Sequence, residues 1–180
     1  MALGATIYTF DIEISDVDRN VYTTLNLRVA QHPSESQDYL VTRVLAYCLE
    51  YAEGIGFSAG LSNPDEPAIF VRDLTGALQA WVDIGLPEPD RLHRASKAAP
   101  RVAVYAHKDT TQWLTRLAEA KIHRAERLDV VAFDRTWIAD IVARLDRRMK
   151  MSLARTESEI YLSIGSETLH TVPVRPLEQH

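Results

Sequence analysis

Ala68-Ile69-Phe70-Val71-Arg72-Asp73-Leu74-Thr75-Gly76-Ala77-Leu78-Gln79-Ala80-Trp81-Val82-Asp83-Ile84 reads as two strands about a turn. Ala68 to Arg72 supplies the first strand, Asp73-Leu74-Thr75-Gly76 turns the chain, and Ala77 to Ile84 returns. On the returning strand the two-residue period sends Leu78, Ala80, Val82 and Ile84 one way and Gln79, Trp81 and Asp83 the other. Pro87 and Pro89 stop that strand and open a helix to about Ala98.

Upstream, Tyr8, Phe10, Ile12 and Ile14 alternate with polar residues, Asp16-Val17-Asp18-Arg19-Asn20 turns, and Val21 to Val29 repeats the alternation. The chain therefore opens with an antiparallel hairpin. A helix follows, with Ser34 and Gln37 at capping-box spacing and Gly54 as its stop. Its apolar stripe runs through Leu40, Val41, Val44, Leu45, Cys48, Leu49 and Ala52. Downstream, strands and helices alternate. Arg101 to His107 is a strand, Asp109 is placed to cap a helix through Glu119, and Leu128 to Phe133 is a strand. Asp134 caps a helix carrying Trp137, Ile138 and Ile141, and three short strands, 149–156, 159–164 and 168–174, finish the chain. The pattern predicts one α/β domain over 1–180, with a mixed sheet flanked by helices.

Composition narrows the function classes. The chain has 180 residues, 46% of them hydrophobic and 25% charged, so it can bury a core and is not a disordered or low-complexity protein. No run approaches the roughly 20 apolar residues of a membrane helix. The first residues lead into Asp11 and Glu13 without an apolar signal core, which makes a soluble cytoplasmic protein the expectation. The lone Cys48 excludes an internal disulfide and a Cys-rich zinc site, and its place in the helix stripe predicts a buried, inert thiol. The net charge of −5 hides a split: residues 88–155 hold 15 Lys/Arg against 9 Asp/Glu, while residues 1–87 hold 4 against 12. A basic middle is the asymmetry of a protein with an anionic partner, and equally of ordinary solvated helix faces.

Two motifs fail their context. Gly56-Phe57-Ser58-Ala59-Gly60 matches a hydrolase nucleophile elbow, but it follows a helix and runs into Pro64 instead of opening one. Gly54 and Gly56 lack the strand and the third glycine of a dinucleotide loop. The six histidines show no ligand spacing.

The chemistry-bearing stretch is Asp65-Glu66-Pro67 at the entry to one strand and Asp83-Ile84-Gly85 at the end of its partner. A hairpin brings those ends together. Glu66, Asp83 and Asp65 could then hold Mg²⁺ or Mn²⁺, with the Ile84 carbonyl as a further oxygen. An ion so held activates water and offsets charge on a phosphodiester. Acids at turns are also commonly structural.

The opening Met1-Ala2-Leu3-Gly4-Ala5-Thr6-Ile7-Tyr8, the Asp18-Arg19-Asn20 turn, His32-Pro33-Ser34-Glu35, Asp65-Glu66-Pro67 and Trp81-Val82-Asp83-Ile84-Gly85-Leu86-Pro87 together resemble the bacterial YaeQ family over essentially the whole chain. That resemblance implies a compact variant of the PD-(D/E)XK nuclease fold: a restriction-endonuclease-like core of helix, strand hairpin, helix and further strand, joined to the N-terminal hairpin and C-terminal strands. It implies a Mg²⁺-dependent nuclease-like protein acting on DNA or RNA, with Asp83 as the acid of the D/E-X-K element and Asp65 or Glu66 at the head of the hairpin. Gly85 departs from the pattern at the lysine position. The missing cation is then expected on the next helix, at Lys97 or else Arg94, and Glu50 and Glu53 are candidate first-helix acids. The alternative is a non-catalytic nucleic-acid- or protein-binding module, with Arg91, Arg94, Lys97 and Arg101 forming a continuous positive surface.

Overall fold

The computed structural model describes residues 4–58 and 65–178. In chain order the elements are β1 (Thr6–Asp16), β2 (Val21–Gln31), α1 (Gln37–Leu49), β3 (Ile55–Phe57), β4 (Ile69–Arg72), β5 (Leu78–Ile84), α2 (Pro89–Ala98), β6 (Arg101–Ala106), α3 (Thr111–Glu119), β7 (Leu128–Ala132), α4 (Arg135–Val142), β8 (Arg148–Thr156), β9 (Glu159–Ile164) and β10 (Glu167–Thr171). A short 3₁₀ turn, Ala125–Arg127, leads into β7. The α/β class read from periodicity is observed. The strands divide into two five-stranded mixed sheets, β10-β9-β8-β1-β2 and β3-β4-β5-β6-β7, instead of joining one. The chain clusters into two compact units: one runs to Val41 and resumes over Phe133–Pro173, and the second holds Thr42–Ala132 and the chain from Val174 on.

In the first unit, β1 pairs with β2 antiparallel and with β8 parallel. Phe10, Ile12 and Ile14 of β1 and Leu25, Leu27 and Val29 of β2 are buried, whereas Glu13, Thr24, Asn26 and Arg28 are exposed, so the pleat has one dry face and one wet face. Asp134 caps α4 as its sequence predicts, accepting from the Trp137 backbone N–H at 3.0 Å. The ends of β1 and β8 are joined by a buried ion pair in which Arg155 Nε donates to Asp16 Oδ1 at 3.0 Å. Asp18 accepts from the backbone of Glu157 and Ser158, both at positive φ, and so holds the β8–β9 turn.

The second unit begins within α1, at Thr42, and the order α1-β3-β4-β5-α2-β6 realises the helix, hairpin, helix and strand that the resemblance implies, with β4 and β5 antiparallel and β5, β6 and β7 parallel. One face of the sheet presents Trp81, Val102, Val104 and Val130, packed with Leu92 and Ala95 of α2 and Trp113 and Leu117 of α3 in a single buried cluster. Each large apolar side chain so buried contributes about 1.5–3 kcal/mol. Trp113 Nε1 donates to the Pro87 carbonyl at 2.7 Å, which ties α3 to the start of α2.

Two local readings change. The α1 cap is Ser36, whose Oγ accepts from the Tyr39 N–H at 3.0 Å, and not Ser34, whose Oγ pairs with the His32 ring. The helix ends at Leu49 rather than at Gly54, because Gly54 is needed in the next strand pair. It accepts from Arg72 N at 3.0 Å, and at φ +90 a Cβ there would sit 1.9 Å from the Arg72 carbonyl oxygen. The β3 strand that this makes room for is too short for periodicity to announce. Its neighbour Ser58 donates through Oγ to the Pro67 carbonyl, while Ala59 and Gly60 of the elbow-like motif lie outside the described residues.

Candidate functional site

Asp83 is the acid around which the site is arranged. It sits one residue before the end of β5, level with Val104 of β6, on the face that carries Trp81 and packs against α2. It is 3% exposed. A carboxylate that deep in an apolar face requires a cation or several donors. The sequence supplies one across the turn at Gly85: Arg91, in the first turns of α2. Arg91 Nε donates to Oδ2 at 2.8 Å and Nη2 to Oδ1 at 3.0 Å, a bidentate pair, and the guanidinium lies over the Trp81 ring at 5.3 Å. The same Nη2 donates to the Glu66 backbone carbonyl at 2.6 Å. The two ends of the hairpin do converge, as expected, and an arginine joins them.

Arg91 therefore takes the place at Asp83 expected of Lys97 or Arg94. Both of those lie exposed farther along α2 and form no ion pair among the described residues, because the buried face of this helix is Leu92, Ala95 and Ser96. Asp65 and Glu66 precede β4 with exposed side chains, and it is the Glu66 main chain that reaches the cluster. Gly85 lies at φ +93, outside strand geometry, and donates its N–H to the Tyr105 carbonyl at 2.9 Å. The position that carries lysine in the nuclease pattern is here a left-handed turn, which disfavours any side chain.

Glu50 belongs to the other side of the sheet. Strand alternation points Arg101 and Tyr105 away from Val102 and Val104, and these two residues take the Glu50 carboxylate. Arg101 Nη2 donates to Oε1 at 2.5 Å, Arg101 Nε to Oε2 at 3.1 Å and Tyr105 OH to Oε1 at 3.0 Å. Arg101 also donates to Asp129 at 3.0 Å, and Asp129 accepts from Arg175 at 2.6 Å. Burial by itself would lower the Arg101 guanidinium, but Glu50 and then Asp129 hold it raised above its ordinary value. Glu53 is exposed beyond the end of α1. Glu50 and Glu53 thus do not join Asp83, and Arg101 does not continue a positive surface with Arg91: one arginine serves each face, each on a buried acid. Only Arg94 and Lys97 of that expected surface remain uncompensated by an ion pair among the described residues.

A hard cation needs several carboxylate or carbonyl oxygens turned to one point. Both Asp83 oxygens accept from Arg91, both Glu50 oxygens accept from donors on the opposite face, and no group of three His, Cys, Asp or Glu residues suited to a metal occurs among the described residues. The residues as arranged do not fit a divalent ion. That Asp83 and Arg91 neutralise each other does not show in the spacing of acids and bases along the chain. The available signal was an acid at the end of one apolar strand face and an arginine on the first turn of the helix packed over it.

Fold and site together define an α/β protein whose hairpin acid is closed by an arginine fork. The family model described as YaeQ protein matches residues 1–173, and the chain belongs to the YaeQ family. It is 33% identical over 171 residues to the uncharacterized protein YaeQ of Escherichia coli (strain K12), covering 94% of each chain, and 32% identical over 170 residues to that of Salmonella typhi, again covering 94% of each. Among solved structures it is similar to the YaeQ protein of Pseudomonas syringae, with a TM-score of 0.88, 26% identity and 94% of both chains covered. It is likewise similar to that of Xanthomonas axonopodis pv. citri, with a TM-score of 0.87, 31% identity and 95% and 97% covered. No helix of the described residues is long and apolar enough to cross a membrane.

Proposed function

We propose that the protein is a non-catalytic nucleic-acid-binding module on a nuclease-like core, gripping phosphate with exposed cations of α2 and of the segment beside it. The observation that carries this reading is the division of labour among the basic residues of α2. Arg91 is engaged by Asp83, whereas Arg94 and Lys97 stand in solvent. His93, Arg94 and Lys97 fall within a helical sector of about 100°. The His123 N–H donates to His93 Nδ1 at 2.9 Å and the two rings meet edge to face, which brings the 121–127 segment with exposed Lys121, Arg124 and Arg127 alongside that sector. The combination offers a polyanion the exposed charges of Arg94, Lys97, Lys121, Arg124 and Arg127, against the exposed acids Asp90 in the sector and Glu126 in the segment.

A metal-dependent phosphodiesterase, the leading reading of the sequence, needs Asp83 free to ligate, and its bidentate pairing weighs against that. Fluorescence anisotropy with labelled single- and double-stranded DNA and RNA tests the proposal. Binding is expected to weaken with salt, and Arg94→Ala/Lys97→Ala is expected to lower the salt slope by roughly 0.9 per lost contact on duplex. Absence of binding at about 50 mM salt, where such contacts are strong, sinks the reading. Calorimetric titration with Mn²⁺ separates the two functions: millimolar-range binding lost in Asp83→Ala would restore the phosphodiesterase.

A further inference from the structure

We infer that the outer edge of β2 is an interaction surface, and that it pairs antiparallel with β2 of a second copy of this chain, centred on Leu25. The inference is independent of the proposed function.

β2 ends its sheet, which runs β10-β9-β8-β1-β2. A terminal strand exposes unpaired N–H and C=O groups, and proteins usually blunt it with short length, proline, a bulge, charge or a covering segment. The other three sheet ends follow that rule. β10 has five residues and Pro173 shortly after it, and β3 has three residues. The β7 edge is covered by Val174, whose backbone exchanges hydrogen bonds with Ala132 at 2.8 and 2.9 Å. β2 follows it only at its C-terminal end, where Ala30 already has a partner; the stretch Val21–Val29 is not blunted in any of these ways. The strand is 11 residues long, its register with β1 is unbroken from Val21 to Gln31, and it contains no proline, no lysine and no acid. Arg28 is its one charge. No strand lies beyond it among the described residues.

The sequence of β2 matches itself in reverse about Leu25. Antiparallel pairing on that centre sets Val21 opposite Val29 and Thr23 opposite Leu27, on the face whose Leu25, Leu27 and Val29 are already buried in each copy. On the wet face it sets Thr24 opposite Asn26 and Tyr22, 59% exposed, opposite Arg28. The one cation of each strand thus meets an aromatic ring instead of its own copy, and the two hydroxyl–amide pairs can hydrogen-bond. Centring the pair on Arg28 would oppose two cations, which selects against that register. Because the contact is isologous and uses the one unblunted edge, it closes at two copies and does not propagate.

Light scattering on the eluting full chain, at loads from about 1 to 100 µM, tests this by mass action. The wild type is expected to move toward twice its 20.3 kDa mass as concentration rises. In Thr24→Lys/Asn26→Lys each new ammonium faces Glu13 or Asp11 of β1 within the chain, which favours the fold, but faces the other ammonium across the two-fold. That variant is expected to stay monomeric, associating at least ~10-fold more weakly, with a thermal melt that matches the wild type's at about 1 µM, where both are monomeric. Hydrogen exchange on the wild type gives a reading that needs no variant: β2 amides become more protected at the high concentration. A wild type that is monomeric throughout overturns the inference, as does a variant that still dimerises or exchange in β2 that ignores concentration.

Discussion

Arg91 and Asp83 meet through two parallel hydrogen bonds, of 2.8 and 3.0 Å, under the shelter of Trp81. The planar fork fits the carboxylate in a way an ammonium cannot. Removing one partner leaves the other charge in an apolar face, so Arg91→Ala or Asp83→Ala is expected to cost about 3–5 kcal/mol. Arg91→Lys should recover part of that. The double variant Arg91→Met/Asp83→Leu should cost less than either alanine, since a well-packed apolar pair can replace a buried ion pair. Urea unfolding of wild type, Arg91→Ala, Asp83→Ala and Arg91→Ala/Asp83→Ala closes the cycle that gives the coupling energy; additive single costs would refute the mutual neutralisation.

Restoring the lysine of the nuclease pattern should not restore chemistry. Gly85→Lys places a side chain at φ +93, and a non-glycine residue there is expected to lose about 1–2 kcal/mol. The carboxylate it would serve stays closed by Arg91. The variant should melt earlier than wild type and show no gain in metal-dependent cleavage of a phosphodiester; a gain would mean that Asp83 opens.

Gly54→Ala tests the other strained glycine. Its Cβ would lie 1.9 Å from a main-chain oxygen, so β3 and β4 must separate or the turn must rebuild. A loss of more than about 2 kcal/mol is expected, well beyond the roughly 1 kcal/mol typical of substitutions. Gly76→Ala makes the control: φ is also positive there, at +84, but nothing lies within 4 Å, so its cost should be smaller in the same denaturation assay.

Cys48 is buried, and desolvation pushes its thiol from 9.0 up to about 12. Folded protein should therefore resist a thiol reagent at pH 8 and label rapidly only in denaturant. The sign of the linkage follows from the raised value. The neutral thiol's contribution to stability is complete below the unfolded value near 9 and is lost as pH rises toward 12. Cys48→Ala should remove that part of the alkaline loss; an unaltered alkaline melting profile would show that the thiol is not its source.

Local pattern and tertiary structure divided the information unevenly. The opening hairpin, the β4–β5 pair, the helix from Pro89 to Ala98, the Asp134 cap and the burial of Cys48 were legible because each follows from period, turn residues or capping chemistry within a few neighbours. So was the family, carried by motifs in order along the chain.

Which sheet a strand joins and which partner an acid meets were not legible. Alternation puts Asp83 and Trp81 on one face of β5 and Arg101 and Tyr105 on one face of β6, but the inter-strand register decides that these are opposite faces of the same sheet. Glu50 meets Arg101 across 51 positions, and Asp16 meets Arg155 across 139. Nothing local encodes such pairs. Sequence determined an acid at the end of an apolar strand and a helix of arginines after it. Packing α2 over that strand decided that Arg91 closes the acid while Arg94 and Lys97 turn to water, because a helix that buries Leu92 and Ala95 leaves each charged neighbour one direction to point.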